Sequence, residues 1–178
     1  IRVLDNPSPA PVVDDFVTHI ELGNVEVSRD GQACPRSRTV AQTGHLGFGL
    51  AVPADRHQCA SNGFVGRSVL ADLEYVPRRC IYAQPSGGGS VLRVHFPAIK
   101  MGKSLVGHHA ISVHQERDKT GAPVVITVQA GETQLGRATH RDGDGWERFE
   151  FDTRSFDGQT KDISVNVSSA AGGRPYCF

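Results

Sequence analysis

The sequence predicts an all-β fold, an antiparallel β-sandwich tied together by disulfides. Three observations predict it. Short apolar stretches alternate with polar residues at a period of two, the signature of half-buried strands. Turn formers are abundant, with 20 Gly and 10 Pro in 178 residues, and they cluster between those stretches. The 4 cysteines, Cys34, Cys59, Cys80 and Cys177, are widely spaced and form no C-x-x-C pair, so disulfides fit them better than a zinc ribbon or a thiol redox motif. No helix-period segment of about ten residues or more stands out.

A chain of 178 residues suits one domain with an adequate core. Residues 1–13 hold Pro7, Pro9 and Pro11 at alternate positions. Proline removes backbone donors and favours an extended path. The expected organisation is therefore a Pro-rich arm at 1–13 and one sandwich domain at 14–178, with an irregular, loop-rich region at 29–66. The 19 basic and 19 acidic residues cancel. That balance leaves no electrostatic footprint for nucleic acid or an anionic membrane. No apolar run approaches the roughly 20 residues of a membrane helix. A chain that begins at Ile1 and carries disulfides is expected outside the cytoplasm, secreted, periplasmic or at the cell surface, with its signal peptide removed.

Along the chain, Phe16, Thr18, Ile20 and Leu22 share one parity and read as a strand. Gly23-Asn24 is a turn signal, and Val25 to Val27 begins a second short strand. Short strands fit Gly47–Val52 and Val69–Tyr75. Cys80 to Ala83 opens a cleaner region. In 91–96, Leu92, Val94 and Phe96 face one way and Arg93 and His95 the other. In 107–114, His109, Ile111 and Val113 oppose His108, Ser112 and His114. Val124–Val128 is strongly β-branched, and 130–133 is a turn. Phe149 with Phe151, and Ile163 with Val165 and Val167, mark two late strands. Four cysteines permit three pairings. Cys34–Cys59 with Cys80–Cys177 is preferred, because the first staples a Gly-rich region and the second joins the first clear strand to the last. Four buried free thiols are the alternative.

Gly145, Trp146, Phe149, Phe151, Asp152, Thr153, Gly158, Ile163, Val165, Val167, Tyr176, Cys177 and Phe178 together resemble the closing strands of jelly-roll sandwiches of the galactose-binding-like and carbohydrate-binding-module kind. The resemblance covers about residues 80–178. It implies a jelly-roll topology, binding of sugars or other surfaces, and in many such modules a structural calcium.

Candidate ligand-binding residues are Trp146, Arg93, His95 and His114. Trp146 is out of parity with Phe149 and Phe151, so its indole either caps the core or stands on the solvent face, where it could stack on a sugar. Tyr75, Tyr82 and Tyr176 add little further stacking surface. For a metal, Asp142-Gly-Asp144-Gly145 looks like half a calcium loop, but Phe151 stands where an EF-hand needs its closing Glu. A calcium site of another kind would draw on Asp14, Asp142, Asp144 and Asp152. His95, His108 and His114 could share a solvent face and hold zinc, whereas the adjacent His108 and His109 point to opposite faces and cannot chelate together. No G-x-S-x-G elbow or phosphate loop is present. The reading that follows is a non-catalytic binding module for polysaccharide or a cell-surface component. The alternative is a structural subunit that contacts neighbours through residues 1–13 and its loops, and a hydrolase comes third.

Overall fold

A computed structural model of the chain describes residues 12–41, 53–59 and 63–178. Most of the Pro-rich arm and the strand expected at Gly47–Val52 lie outside those residues. The order of elements is α1 (Phe16–Leu22), β1 (Glu26–Arg29), β2 (Gln32–Ala33), β3 (Arg36–Arg38), β4 (Asp55–Gln58), β5 (Phe64–Ala71), β6 (Pro77–Ala83), β7 (Val91–Lys100), β8 (Ser104–Ile111), α2 (Val113–Asp118), β9 (Val124–Ala130), β10 (Thr133–His140), β11 (Glu147–Asp152), β12 (Thr160–Ser169) and β13 (Tyr176–Cys177).

Two sheets pack face to face in a jelly-roll sandwich. The six-stranded sheet runs β10-β9-β12-β7-β1-β2 and the seven-stranded sheet β11-β8-β13-β6-β5-β4-β3. From β7 onward the chain shuttles between them, and β12 inserts between β9 and β7 while β13 inserts between β8 and β6. Every pairing among the described residues is antiparallel. The alternation read from β7, β9 and β12 becomes the core: Leu92, Val94, Phe96, Ile126, Val128, Ile163, Val165 and Val167 are all buried. Those rows meet Val65, Ile81, Ala83 and Ile111 of the other sheet.

The seven-stranded sheet is apolar on its outer face too. Phe64, Leu70, Cys80, Tyr82, Ala110 and Cys177 form a second cluster there, with Trp146 packed against it. This is why Cys80 to Ala83 reads as an unbroken apolar run instead of an alternation. The disulfides are Cys34–Cys59 and Cys80–Cys177.

Three expectations are corrected. The Phe16–Leu22 stretch is a helix, not a strand. Asp15 caps it by accepting the Val17 N–H at 3.1 Å, and Gly23, at φ 75°, ends it by donating to the Ile20 carbonyl. Gly tolerates that left-handed conformation without strain. A 7-residue helix is marginal alone. Packing holds this one, with Phe16 stacked on Phe96 at 4.4 Å and Glu21 paired to Arg67 and Arg79 of the seven-stranded sheet. The strand expected at Val69–Tyr75 is β5, which ends at Ala71 because Asp72 turns the chain. The third correction is β10, a strand absent from the sequence reading. Ala130 pairs with Thr133 across a tight turn, and a bulge between Gln134 and Gly136 breaks the pattern that would have revealed the strand.

That bulge sets Gly136 against Phe151. A Cβ there would lie 2.1 Å from the Phe151 ring. Gly136→Ala is expected to cost about 1–3 kcal/mol through overpacking, measurable as a lower midpoint in urea denaturation.

Candidate functional site

Three segments converge at one end of the seven-stranded sheet: the β5–β6 turn, the C-terminal part of α2, and the β10–β11 loop. Trp146 stands on that loop, half-buried, with its base on the outer apolar cluster. His108 of β8 faces outward beside it. The two rings are parallel within 3° with centroids 5.7 Å apart, a separation that makes the pair offset. His108 thus stacks against the indole. The Arg78 guanidinium lies 5.6 Å from the indole centroid. Tyr75, 54% exposed, carries the Arg117 guanidinium 4.5 Å over its ring.

Arg78 is positioned from behind by Asp72, whose carboxylate is fully buried. It accepts the Arg78 Nε–H at 2.7 Å and the Glu74 and Val76 N–H groups at 3.1 and 2.9 Å. Burial alone would raise the Asp72 carboxyl, but Arg78 and the backbone donors outweigh it and hold it below its ordinary 3.8. The linkage sign follows. A carboxyl depressed in the folded state contributes stability above its unfolded pKa and loses it as pH falls through the folded value. Asp72→Asn is therefore expected to lower stability at neutral pH by about 2 kcal/mol. It should also flatten the loss of stability as pH falls below about 4, read by denaturant unfolding across that range.

Burial lowers the His108 imidazole, and the charges of Arg148 and Arg78 add to this. At neutral pH it is uncharged, with one donor and one acceptor nitrogen.

Directly behind this surface is a buried polar network. His109, 1% exposed, and His140, 0% exposed, meet edge to face with centroids 5.0 Å apart. The His109 Nδ1 is 2.8 Å from the Tyr176 hydroxyl, and its Nε2 is 3.3 Å from Glu147 Oε2. The His140 Nε2 is 2.5 Å from Glu116 Oε1. Glu116 also accepts the Ile111 N–H at 3.0 Å and the Gly143 N–H at 2.7 Å. Burial, with the neighbouring His140 adding, pushes His109 down to about 4. A second layer, Asp142 paired to the buried Arg174, accepts the Gly121 N–H. Among the described residues, His109, His140 and Glu147 form the group whose ligand atoms lie close enough together to hold a metal ion.

The sequence-derived candidates do not form one site. Trp146 lies on the seven-stranded sheet. Arg93 and His95 lie on β7 of the six-stranded sheet, outward-facing, in hydrogen bonds to Asn166 and Ser164. They edge a groove of about 620 Å³ shared with Glu26, Arg36, His57 and Ser164. His114 is exposed on α2. For the same reason the zinc set His95, His108 and His114 is overturned: its members stand on different sheets and on a helix. Asp142 and Asp144 share the β10–β11 loop, but among the described residues the four aspartates form no group close enough together to hold a metal ion. Asp14 binds His19 and the Lys100 N–H, Asp142 binds Arg174 and Gly121, Asp144 accepts the Arg141 N–H, and Asp152 pairs with Arg154. Sequence reasoning singled out neither Arg78 nor Glu116 nor His140, and weighed Glu147 only as one of several carboxylates for a hydrolase. His140 closes a mostly polar strand, so the local sequence carried no apolar signal for it.

No protein-family model and no curated sequence matches the chain. Among solved structures, it is similar to the CBM51-2 and INT domains of Clostridium perfringens ZmpB in complex with GlcNAc, at 12% identity and a TM-score of 0.43, covering 87% of this chain and 39% of that one. A second structure of the same domains gives 12% identity and a TM-score of 0.40, covering 83% and 37%. A mutant xylanase 10C from Cellvibrio japonicus in complex with xylopentaose gives 9% and 0.35, covering 86% and 25%. The chain thus spans well under half the length of each structure it matches.

Proposed function

We propose that this chain is a non-catalytic binding module that takes a glycan on the Trp146 surface. The observation that carries the reading is the half-exposed indole lying parallel to His108. The apolar face of a pyranose packs on flat aromatic surface, and its hydroxyls need donors and acceptors at the rim. Arg78 is held over the indole with its Nε committed to Asp72, which leaves its terminal nitrogens to donate. Uncharged His108 supplies a donor and an acceptor, and Tyr75 with Arg117 extends the rim. Two disulfides suit a module that works in an oxidising compartment. Among the described residues no helix is long and apolar enough to cross a membrane.

The chain contains 1 Trp, so its indole fluorescence reports on this surface alone. Titration with a panel of oligosaccharides is expected to shift that emission for at least one sugar class. Trp146→Ala should weaken binding of that sugar by about 10-fold or more, the loss of one aromatic stacking contact of about 1–2 kcal/mol. No shift across the panel, together with unaltered binding by Trp146→Ala on a glycan array, would count against the reading. The groove under Arg93 and His95 is the second candidate surface, favoured by its concavity and its convergent polar side chains.

A further inference from the structure

We infer that His109, His140 and Glu147 form a zinc-class metal site at the open edge of the sandwich. It goes beyond glycan binding and does not depend on it. The strand register brings the ligands together. His109 on β8 pairs directly with Glu147 on β11, so both side chains fall on one face, and His140 closes the third side from the end of β10. One ligand atom from each lies within 4.8 Å of the others. In a tetrahedral site with bonds of about 2.0–2.1 Å, ligand atoms stand about 3.3 Å apart. Closing the difference takes only small side-chain movements.

The hydrogen-bond pattern is the second observation. Glu116 accepts the Ile111 and Gly143 N–H groups and lies 2.5 Å from the His140 Nε2, while the His140 Nδ1 is buried without a hydrogen-bond partner. A buried polar atom without a partner is costly unless something fills it. A metal ion satisfies it, where a structural role for the pair would leave it empty. The other nitrogen of each imidazole is already held, by Glu116 for His140 and by the Tyr176 hydroxyl for His109. Carboxylate and hydroxyl partners of this kind fix ring orientation around a metal. Tyr176 can donate to or accept from Nδ1, so His109 is free to present Nε2 to the ion.

Two imidazoles and one carboxylate select zinc or a similar borderline transition ion over calcium, which wants six to eight oxygens. Glu147, 48% exposed, gives a route from solvent and leaves a fourth position open to water or ligand.

The test is metal loading of the full chain. The apo protein is dialysed against Zn²⁺, and bound metal is counted by mass spectrometry and affinity measured by chelator competition. The expected result is one Zn²⁺ per chain, and a tetrahedral visible spectrum when Co²⁺ replaces it. Glu147→Gln, at a half-exposed position and so compatible with folding, should weaken Zn²⁺ by 10-fold or more. His114→Ala, an exposed histidine outside the group, should leave both stoichiometry and affinity unchanged. Failure of the wild type to retain Zn²⁺, equal affinity in Glu147→Gln, or loss of the ion in His114→Ala would each overturn the site.

Discussion

Replacing Cys80 and Cys177 together by Ala is expected to remove about 4–5 kcal/mol of stability. The bridge closes a loop of 97 residues, and constraining a loop of that length in the unfolded chain is worth roughly 4.7 kcal/mol on the chain-entropy account. Its position increases the consequence. β13 is only 2 residues long, yet it fills the middle of the seven-stranded sheet and pairs with both β6 and β8. Four backbone registers on a two-residue strand resist fraying poorly, and the disulfide fixes them. For a domain of this size the loss corresponds to a fall in Tm of roughly 10–20 °C. Opening Cys34–Cys59, which closes 25 residues, should cost about 3.5 kcal/mol. Chemical denaturation of both pairs decides the matter. Equal losses, or a loss below about 1 kcal/mol for the 80–177 pair, would contradict the chain-entropy explanation.

Glu116→Ala should cost about 3–5 kcal/mol, because it strips the acceptor from a fully buried network. One carboxylate receives the Ile111 N–H, the Gly143 N–H and the His140 Nε2–H. It thereby ties α2 to β8 and to the loop that carries Trp146. Three donors would lose their partner in one substitution. Glu116→Gln is the informative companion. It keeps the volume, but turns one terminus into a donor facing another donor, for about 1–3 kcal/mol. Equilibrium unfolding gives the magnitudes, and amide exchange at Gly143 and Ile111 locates the effect. A loss in Glu116→Ala confined to a few tenths of a kcal/mol would show that the network is solvated and holds nothing together.

The sandwich was legible where side chains alternate between core and solvent. Leu92, Val94 and Phe96 announce β7, and Ile163, Val165 and Val167 announce β12, because those strands have one polar face. The signal failed where the physics differs. Phe16–Leu22 has strand parity, but Asp15 and Gly23 cap it as a helix, and seven residues are too few for periodicity to distinguish the two. β10 carries a bulge at Gly136 that resets the alternation. The candidate site was less legible than the fold. Trp146 was visible as an odd aromatic at a strand edge. Its neighbours Tyr75 and Arg78 come from the β5–β6 turn and the start of β6, and only the strand order places them beside it. His109 and Glu147 are 38 residues apart and meet because β8 and β11 pair. Nothing in the local sequence of either strand encodes that pairing.

We propose the Trp146 surface, beside the seven-stranded sheet, as the place where a glycan binds. The most direct measurement compares wild type, Trp146→Ala and Arg93→Ala on one glycan array, with unfolding curves confirming that all three are folded. Arg93 is exposed on the opposite sheet, so its removal controls for the groove beside it. The account predicts that Trp146→Ala loses the bound glycans by 10-fold or more while Arg93→Ala keeps them. Retained binding in Trp146→Ala together with its loss in Arg93→Ala would contradict it and assign the ligand to the groove.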